Sequence, residues 1–228
     1  MNADNLDRSA GAVAAARRAD GDERLPGGTD GGAVGSPDRL PRIVLASGSP
    51  RRSQLLGSIG LTFSVVVPEV DETPAHGEAP QDLVERLAAS KALAVAATHR
   101  DALVIAADTT VAVDGAILNK PTDEAENREF VRRLAGREHE VFTGHALTYA
   151  GELETVVVRS AVVFRPLSEA EIAGYCATGE GRDKAGGYAI QGRGAALIEG
   201  IRGCYPNVMG LSLVNVVLTA RRLGVDLV

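Results

Sequence analysis

The residues whose types and spacing could do chemistry begin with Ser47-Gly48-Ser49-Pro50-Arg51-Arg52. This run separates a buried strand, Ile43-Val44-Leu45, from a helix that Ser49 caps and Pro50 opens. Backbone N–H groups at a helix start attract anions, and hydroxyls add donors. Arg51 and Arg52 are out of place there on structural grounds, because cations at that end oppose the helix dipole. They make sense if a polyanion sits in the turn, since guanidinium groups bind phosphate oxygens in pairs. The competing reading is a capped surface helix with two solvated arginines, and local physics divides the two evenly. The run matches neither a P-loop nor the GxGxxG fingerprint.

Acids come next. Glu69, Asp71 and Glu72 cluster after the β-rich run Thr62–Val67, and Asp108 closes a short strand, Leu103–Ala107. A carboxylate at the carboxyl end of a strand lies at the crevice of an α/β sheet. Acids from separate segments could hold Mg²⁺, which takes oxygen ligands and shares them with substrate phosphates. The plainer readings are a solvated loop for Glu69–Glu72 and a turn residue for Asp108. Three lysines stand near glycines, alanines or a turn: Lys91 in an Ala-rich helix, Lys120 after a hairpin, and Lys184 at the head of a Gly-rich loop reaching Gln191-Gly192. Glycine permits close backbone approach to a ligand, and an amide such as Gln191 can both donate and accept. The four histidines have no metal spacing, and no nucleophile–histidine pattern stands out.

These residues need a scaffold. The helix after Pro50 carries Leu55, Leu56 and Ile59 and ends at Gly60. A long helix over Ala79–Thr98 would bury Leu83, Leu87 and Leu93, and Val111–Leu118 reads as a hairpin about Asp114-Gly115. Asp123–Leu134 is an amphipathic helix, Glu138–Tyr149 and Glu152–Phe164 are long strands, and Ser168–Thr178 is a capped helix. Ala196–Ile201 is a strand and Val208–Leu223 a closing helix. Helices alternate with strands and hairpins, which predicts an α/β fold with a mixed twisted sheet and flanking helices.

Residues 1–40 read as a flexible extension, with a transient helix over Ala10–Arg18, because they hold few large apolar side chains. The folded domain is read over residues 41–228. Its core must be aliphatic, since aromatic residues are 4% of the chain and tryptophan is absent. A net charge of −6 argues against non-specific binding to nucleic acid or anionic membrane, while leaving room for a local basic pocket. No apolar run approaches the ~20 residues of a membrane span. Cys176 and Cys204 read as reduced thiols, and the expected location is the cytoplasm.

In order, LASGSPRR (Leu45–Arg52), VDET (Val70–Thr73), ERLAASKA (Glu85–Ala92), ADTT (Ala107–Thr110) with Asn119-Lys120-Pro121, DKAGGYAIQG (Asp183–Gly192) and NVMGLSL (Asn207–Leu213) resemble the Maf family of nucleoside triphosphate pyrophosphatases. The resemblance runs from about Ile43 to Leu223. It implies two lobes around a cleft, similar to the inosine triphosphate pyrophosphatases, and hydrolysis of a nucleoside triphosphate to the monophosphate and pyrophosphate. It further implies a divalent cation, Mg²⁺ first and Mn²⁺ or Co²⁺ as alternatives, held by Glu72 and Asp108. Asp108 becomes the proton acceptor, and Lys91 and Lys120 neutralise phosphate. Ser47, Arg51 and Arg52 hold phosphates, Lys184 faces the substrate, and Arg51, Thr109 and Gln191 match positions tied to base selectivity. The DKAG-type loop with Gln191 is similar to the branch acting on dTTP and UTP rather than the one acting on 7-methylguanosine triphosphate. Gly187, where many members carry Ala, and Cys204-Tyr205-Pro206 depart from the pattern. Assembly stays open between a monomer and a homodimer, as does the purpose, between housecleaning of nucleotides and control of division. A nucleotide-sensing protein without turnover is the rival reading.

Overall fold

The computed structural model describes residues 40–228, so the extension read over residues 1–40 lies, but for Leu40, outside the described residues. The strands are β1 (Arg42–Ala46), β2 (Ser64–Val65), β3 (Ala102–Val113), β4 (Ala116–Leu118), β5 (Glu138–Tyr149), β6 (Glu152–Phe164) and β7 (Ile198–Arg202). They form one mixed sheet in the order β2-β1-β3-β5-β6-β7, with β4 also on β3. The helices are α1 (Pro50–Ser58), α2 (Pro80–Ala96), α3 (Glu124–Leu134), α4 (Glu169–Cys176), α5 (Tyr205–Met209) and α6 (Leu213–Arg222). This is the α/β architecture with a mixed sheet and flanking helices that the pattern predicts.

The β-rich run Thr62–Val67 yields only the two-residue β2, the strand read from Ala196 starts at Ile198 after a 3-10 helix over Gly192–Leu197, and three further points differ from the sequence reading. The strand expected to stop at Ala107 runs on to Val113, so Asp108 lies mid-strand rather than at a strand end. Antiparallel β5 pairs with β3 from Val104 to Ala112 and holds it extended past the polar Asp108-Thr109-Thr110. The closing helix is two helices, because Gly210 takes a left-handed φ of 111° and stops α5. On α2, Leu93 is 52% exposed, while the buried stripe runs Leu83, Leu87, Lys91 and Val95. Positions four apart stack on one helix face, and ten residues from Leu83 the helix has turned away. The position that continues the leucine stripe is therefore occupied by a lysine.

Long β3 creates the cleft. On one edge it pairs with β5 along most of its length. On the other it pairs with β1 at Ala102–Ala106 and with β4 at Val111–Val113, leaving Ala107–Thr110 without a strand partner on that side. The sheet thus has a notch, and the chain leaves β1 at Ser47 beside it. On one face, Leu103, Ile105 and Ala107 of β3 join a core with α1 and α6, while Val111 and Val113 join a second core with α3 and α4. Thr109 stands between the two. Both cores belong to one compact unit.

Helix α2 covers the opposite face, where Ala88, Ala92 and Val95 pack on Val104, Ala106 and Ala146. Its close approach requires Gly144 on β5, since a Cβ there would collide with the Val84 carbonyl of α2. Neither backbone segment can yield without disturbing the sheet or the helix. Gly144→Ala is expected to destabilise the fold by about 3 kcal/mol or more, read as a lowered denaturation midpoint in urea.

Two buried histidines link β5 to the rest. The Ser212 N–H donates to His145 Nε2 (2.8 Å), which fixes that nitrogen as an acceptor at the start of α6. His139 Nε2 meets the Tyr188 hydroxyl at 2.8 Å. Burial pushes His139 down to about 4, and burial, aided by the Arg52 charge and opposed by the Val156 carbonyl, pushes His145 down to about 4. Both are neutral in the fold, whereas the unfolded rings take up protons near 6.5. Their contribution is therefore whole above pH 6.5 and is lost as pH falls towards 4, on the order of 3 kcal/mol for each ring. In NMR, neither ring should titrate between pH 8 and 5, and thermal stability should fall over that lower range.

Candidate active site

The notch opens into a cavity of about 620 Å³. Ser47, Arg51, Arg52, Glu72, Lys91, Asp108, Thr109, Lys120, Lys184 and Gln191 all line it. The fold thus brings these ten residues together from six separate segments, while Glu69 and Asp71, the other acids of the Glu69–Glu72 cluster, do not line the cavity.

The turn after β1 forms one wall. Pro50 opens α1, and Ser49 sits at its cap position with an extended backbone but no capping side-chain bond. Arg52 is committed to structure. Its Nε donates to the Gly210 carbonyl (2.8 Å), its NH1 to Ser47 Oγ (3.0 Å) and its NH2 to Thr109 Oγ1 (3.1 Å). Burial lowers the Arg52 pKa, and the nearby Asp108 carboxylate works against that shift. The Thr109 hydroxyl continues the chain to Thr143 Oγ1 (3.0 Å), which donates to the Asn207 carbonyl (3.0 Å). One guanidinium therefore ties the turn, the notch and the α5 end together, and it presents its remaining N–H bonds from a fixed position. Arg51 has no side-chain hydrogen bond or ion pair among the described residues.

The opposite side of the notch carries the acids. Lys91, only 7% exposed, reaches up from α2. Its Nζ lies 2.6 Å from Asp108 Oδ1 and 2.5 Å from Glu72 Oε1. Burial raises the Glu72 carboxyl, but the hydrogen bond and charge of Lys91, with Lys120 and Arg52, outweigh it and hold the group below the usual range. Glu72 therefore carries its negative charge at neutral pH. Asp71, its neighbour, instead accepts from the Thr73 backbone in a local turn, and it does not line the cavity. The Lys91 hydrogen bond to Asp108 falls on Oδ1 and leaves Oδ2 outside that bond. No group of three or more His, Cys, Asp or Glu residues is placed to hold a metal among the described residues. Two convergent carboxylates suit Mg²⁺ in the way it commonly binds, through one or two carboxylates with waters and substrate phosphates completing the shell.

The far wall is the Gly-rich loop, and it is stapled rather than loose. Asn127 Nδ2 donates to the Gly187 carbonyl (2.7 Å), and the Ala189 N–H donates to the Tyr175 hydroxyl (2.9 Å). The Glu180 carboxylate accepts from the Arg193 N–H (3.0 Å) and the Gly194 N–H (2.8 Å). Lys184 is drawn into this scaffold. Its Nζ donates to the Glu180 carbonyl at 2.6 Å and pairs with Asp183. Gln191 sits exposed at the cavity with its amide uncommitted among the described residues. Glu180, Thr143 and Tyr175 escaped sequence reasoning. The only available signal was Glu180 standing between Gly179 and Gly181, while Thr143 looks like any strand threonine.

The structure defines an α/β protein with a deep cleft, basic on one wall and acidic behind a buried lysine, suited to a small ligand bearing several negative charges. A family model described as "Maf-like protein" matches residues 42–223. The dTTP/UTP pyrophosphatase of Syntrophus aciditrophicus is 48% identical over 185 residues, covering 80% of this chain and 90% of the relative. Those of Symbiobacterium thermophilum and Deinococcus radiodurans are 50% and 49% identical, covering 81% and 83% of this chain and 95% and 96% of the relatives. A Ham1 protein structure from Staphylococcus aureus aligns with a TM-score of 0.45 at 18% identity over 80% of this chain and 98% of that one. The chain belongs to the Maf-like protein family.

A lysine cannot satisfy the three divergent acceptors of Arg52 from one fork. Arg52→Lys should therefore cost about 1–2 kcal/mol of stability in urea. It should also weaken binding of inorganic pyrophosphate about tenfold, measured by calorimetry.

Proposed function

We propose that this chain is a nucleoside triphosphate pyrophosphatase that hydrolyses dTTP and UTP to the monophosphate and pyrophosphate. The observation that carries the reading is Lys91 held between Glu72 and Asp108 on one wall of a cavity whose other wall is the arginine turn. The names of the relatives point the same way. No helix among the described residues is long and apolar enough to cross a membrane.

The chemistry follows from the charges. A triphosphate would be met by Arg51 and Lys120, which have no partner among the described residues, and by the fixed N–H groups of Arg52. Serine hydroxyl and backbone N–H groups at the start of α1 would add donors. Glu72 and Asp108 would hold the divalent cation. That cation, Mg²⁺ or in its place Mn²⁺ or Co²⁺, would stabilise charge on phosphate oxygens. Asp108 would orient the attacking water and take its proton, while Lys91 fixes the carboxylate's aim. Thr109 and Gln191, with Arg51, would read the base, and the stapled loop would keep Gln191 in place.

A sensor that binds without turnover is the second reading. It has no need of a carboxylate locked beside a free water-binding oxygen, and that lock favours the enzyme. Pyrophosphate release should be measured with Mg²⁺ over dTTP, UTP, CTP and 7-methylguanosine triphosphate. Release from dTTP and UTP is expected, and tight binding with no release would instead support the sensor. Asp108→Asn should lower turnover about a hundredfold or more with its fold intact. Near-native turnover would remove Asp108 from the base role.

A further inference from the structure

Residues 67–78 form no helix or strand, yet they deliver Glu72 to the cavity. Among the described residues, two side chains from the rest of the protein reach this segment by hydrogen bond or ion pair, Lys91 and Arg86. Both stand on α2. Lys91 holds the Glu72 carboxylate itself. Arg86 does not line the cavity, so it bears on the site through the segment it holds.

The Arg86 guanidinium meets the Glu78 carboxylate side-on. Its Nε donates to Oε1 (2.7 Å) and its NH2 to Oε2 (2.8 Å). A paired contact of this kind fixes direction as well as distance. The same NH2 donates to the Thr73 carbonyl (3.2 Å), and Glu78 Oε2 also accepts the Ala75 N–H (2.8 Å). On the other side of Glu72, the Asp71 carboxylate accepts the Thr73 N–H (2.9 Å). The residues flanking Glu72 are thus tied to each other, and Thr73 is tied to α2. An isolated surface ion pair contributes little, but a bidentate pair within a network is the exception.

We propose that Arg86 is a positioning residue for Glu72: with Glu78 it clamps residues 71–78 onto α2, so that the Glu72 carboxylate is in place before a divalent cation arrives. The inference rests on the reading of Glu72 as a holder of that cation and deepens it. Without the clamp, the segment would be ordered only when the cation binds, and that ordering entropy would be subtracted from the affinity. Charge alone predicts the opposite sign. The Arg86 guanidinium lies within electrostatic reach of Asp71 and Asp108. It repels a cation at the carboxylates, so its removal would tighten cation binding if charge were all that mattered. The direction of the change therefore separates positioning from simple electrostatics.

The ordinary alternative is a surface ion pair with no bearing on the site. Arg86→Gln removes the fork and the charge from an exposed position. Under the proposal, Mn²⁺ titrated into the ligand-free chain and followed by calorimetry binds about threefold or more weaker. Amide hydrogen exchange over residues 71–78 becomes about tenfold faster, and Glu78→Ala, which opens the same clamp from its other end, reproduces that change. In a Glu72→Gln background, Arg86→Gln shifts Mn²⁺ affinity by less than about twofold, because its effect runs through Glu72. If the wild-type chain binds Mn²⁺ and releases pyrophosphate while R86Q binds Mn²⁺ as tightly or more tightly, the clamp is overturned and the pyrophosphatase reading stands. Unchanged exchange in either clamp variant overturns it too, as does a loss of affinity that persists undiminished in the Glu72→Gln background. A wild-type chain that binds no Mn²⁺ overturns the cation role of Glu72, and this proposal with it.

Discussion

Lys91 brings a charged ammonium to a buried position on α2, where Asp108 and Glu72 close on it at 2.6 and 2.5 Å. Much of the surrounding structure is what that contact requires. An ammonium taken out of water must be met by opposite charge, or it disfavours the fold or gives up its proton. The lysine therefore fixes the carboxylate of mid-strand Asp108 and draws in Glu72 from a segment with no regular structure. The contact also demands that α2 lie close on the sheet, and Gly144 permits this by leaving the space that the Val84 carbonyl fills. A helix held further out would leave the lysine short of the strand.

The notch in the sheet is the second constraint. A strand that keeps one edge paired and loses part of the other exposes backbone groups that need partners. Between β1 and β4, that unpaired edge of β3 faces the cleft. The gap divides one face into two cores, and Arg52 reconnects them through neutral oxygens on three segments. Because those acceptors are a serine, a threonine and a carbonyl, the guanidinium keeps its charge uncompensated by any direct ion pair among the described residues. Its field remains available to an anion in the cleft.

The sequence made the elements and the members of the site legible, while the exact ends of elements and the internal wiring were not. Ser49-Pro50, Asp123 and Ser168 marked helix starts because capping is local, and Ser168 with Glu171 closes a full capping box. The end of β3 was misread because Asp108-Thr109-Thr110 looks like a turn until β5 pairs across it. Leu93 was assigned to the core on residue type, although helical spacing puts Lys91 there instead. Val208–Leu223 looks continuous by its apolar spacing, but Gly210 takes a left-handed φ and caps α5, and its carbonyl accepts from distant Arg52. Site residues were visible as charges without local purpose: arginines against a helix dipole, a lysine among alanines, an acid between threonines. Glu180 and Thr143 were not, since their significance lies in contacts across the fold.

The polar groups of the cleft divide by what already occupies them. Arg52, Lys91 and Lys184 spend their hydrogen bonds on protein atoms, so they define shape and field more than they bind freely. Arg51, Lys120 and Gln191 have side chains uncommitted among the described residues and stand on three different segments. A ligand that engages all three must be long enough to reach from the α1 turn past the hairpin to the Gly-rich loop. It must also be anionic at one end and hydrogen-bonding at the other. A nucleoside triphosphate has that length and that polarity, whereas inorganic pyrophosphate or phosphate alone would leave Gln191 unengaged. The fixed groups are set between those contacts, at Asp108, where a ligand held at both ends would present its middle.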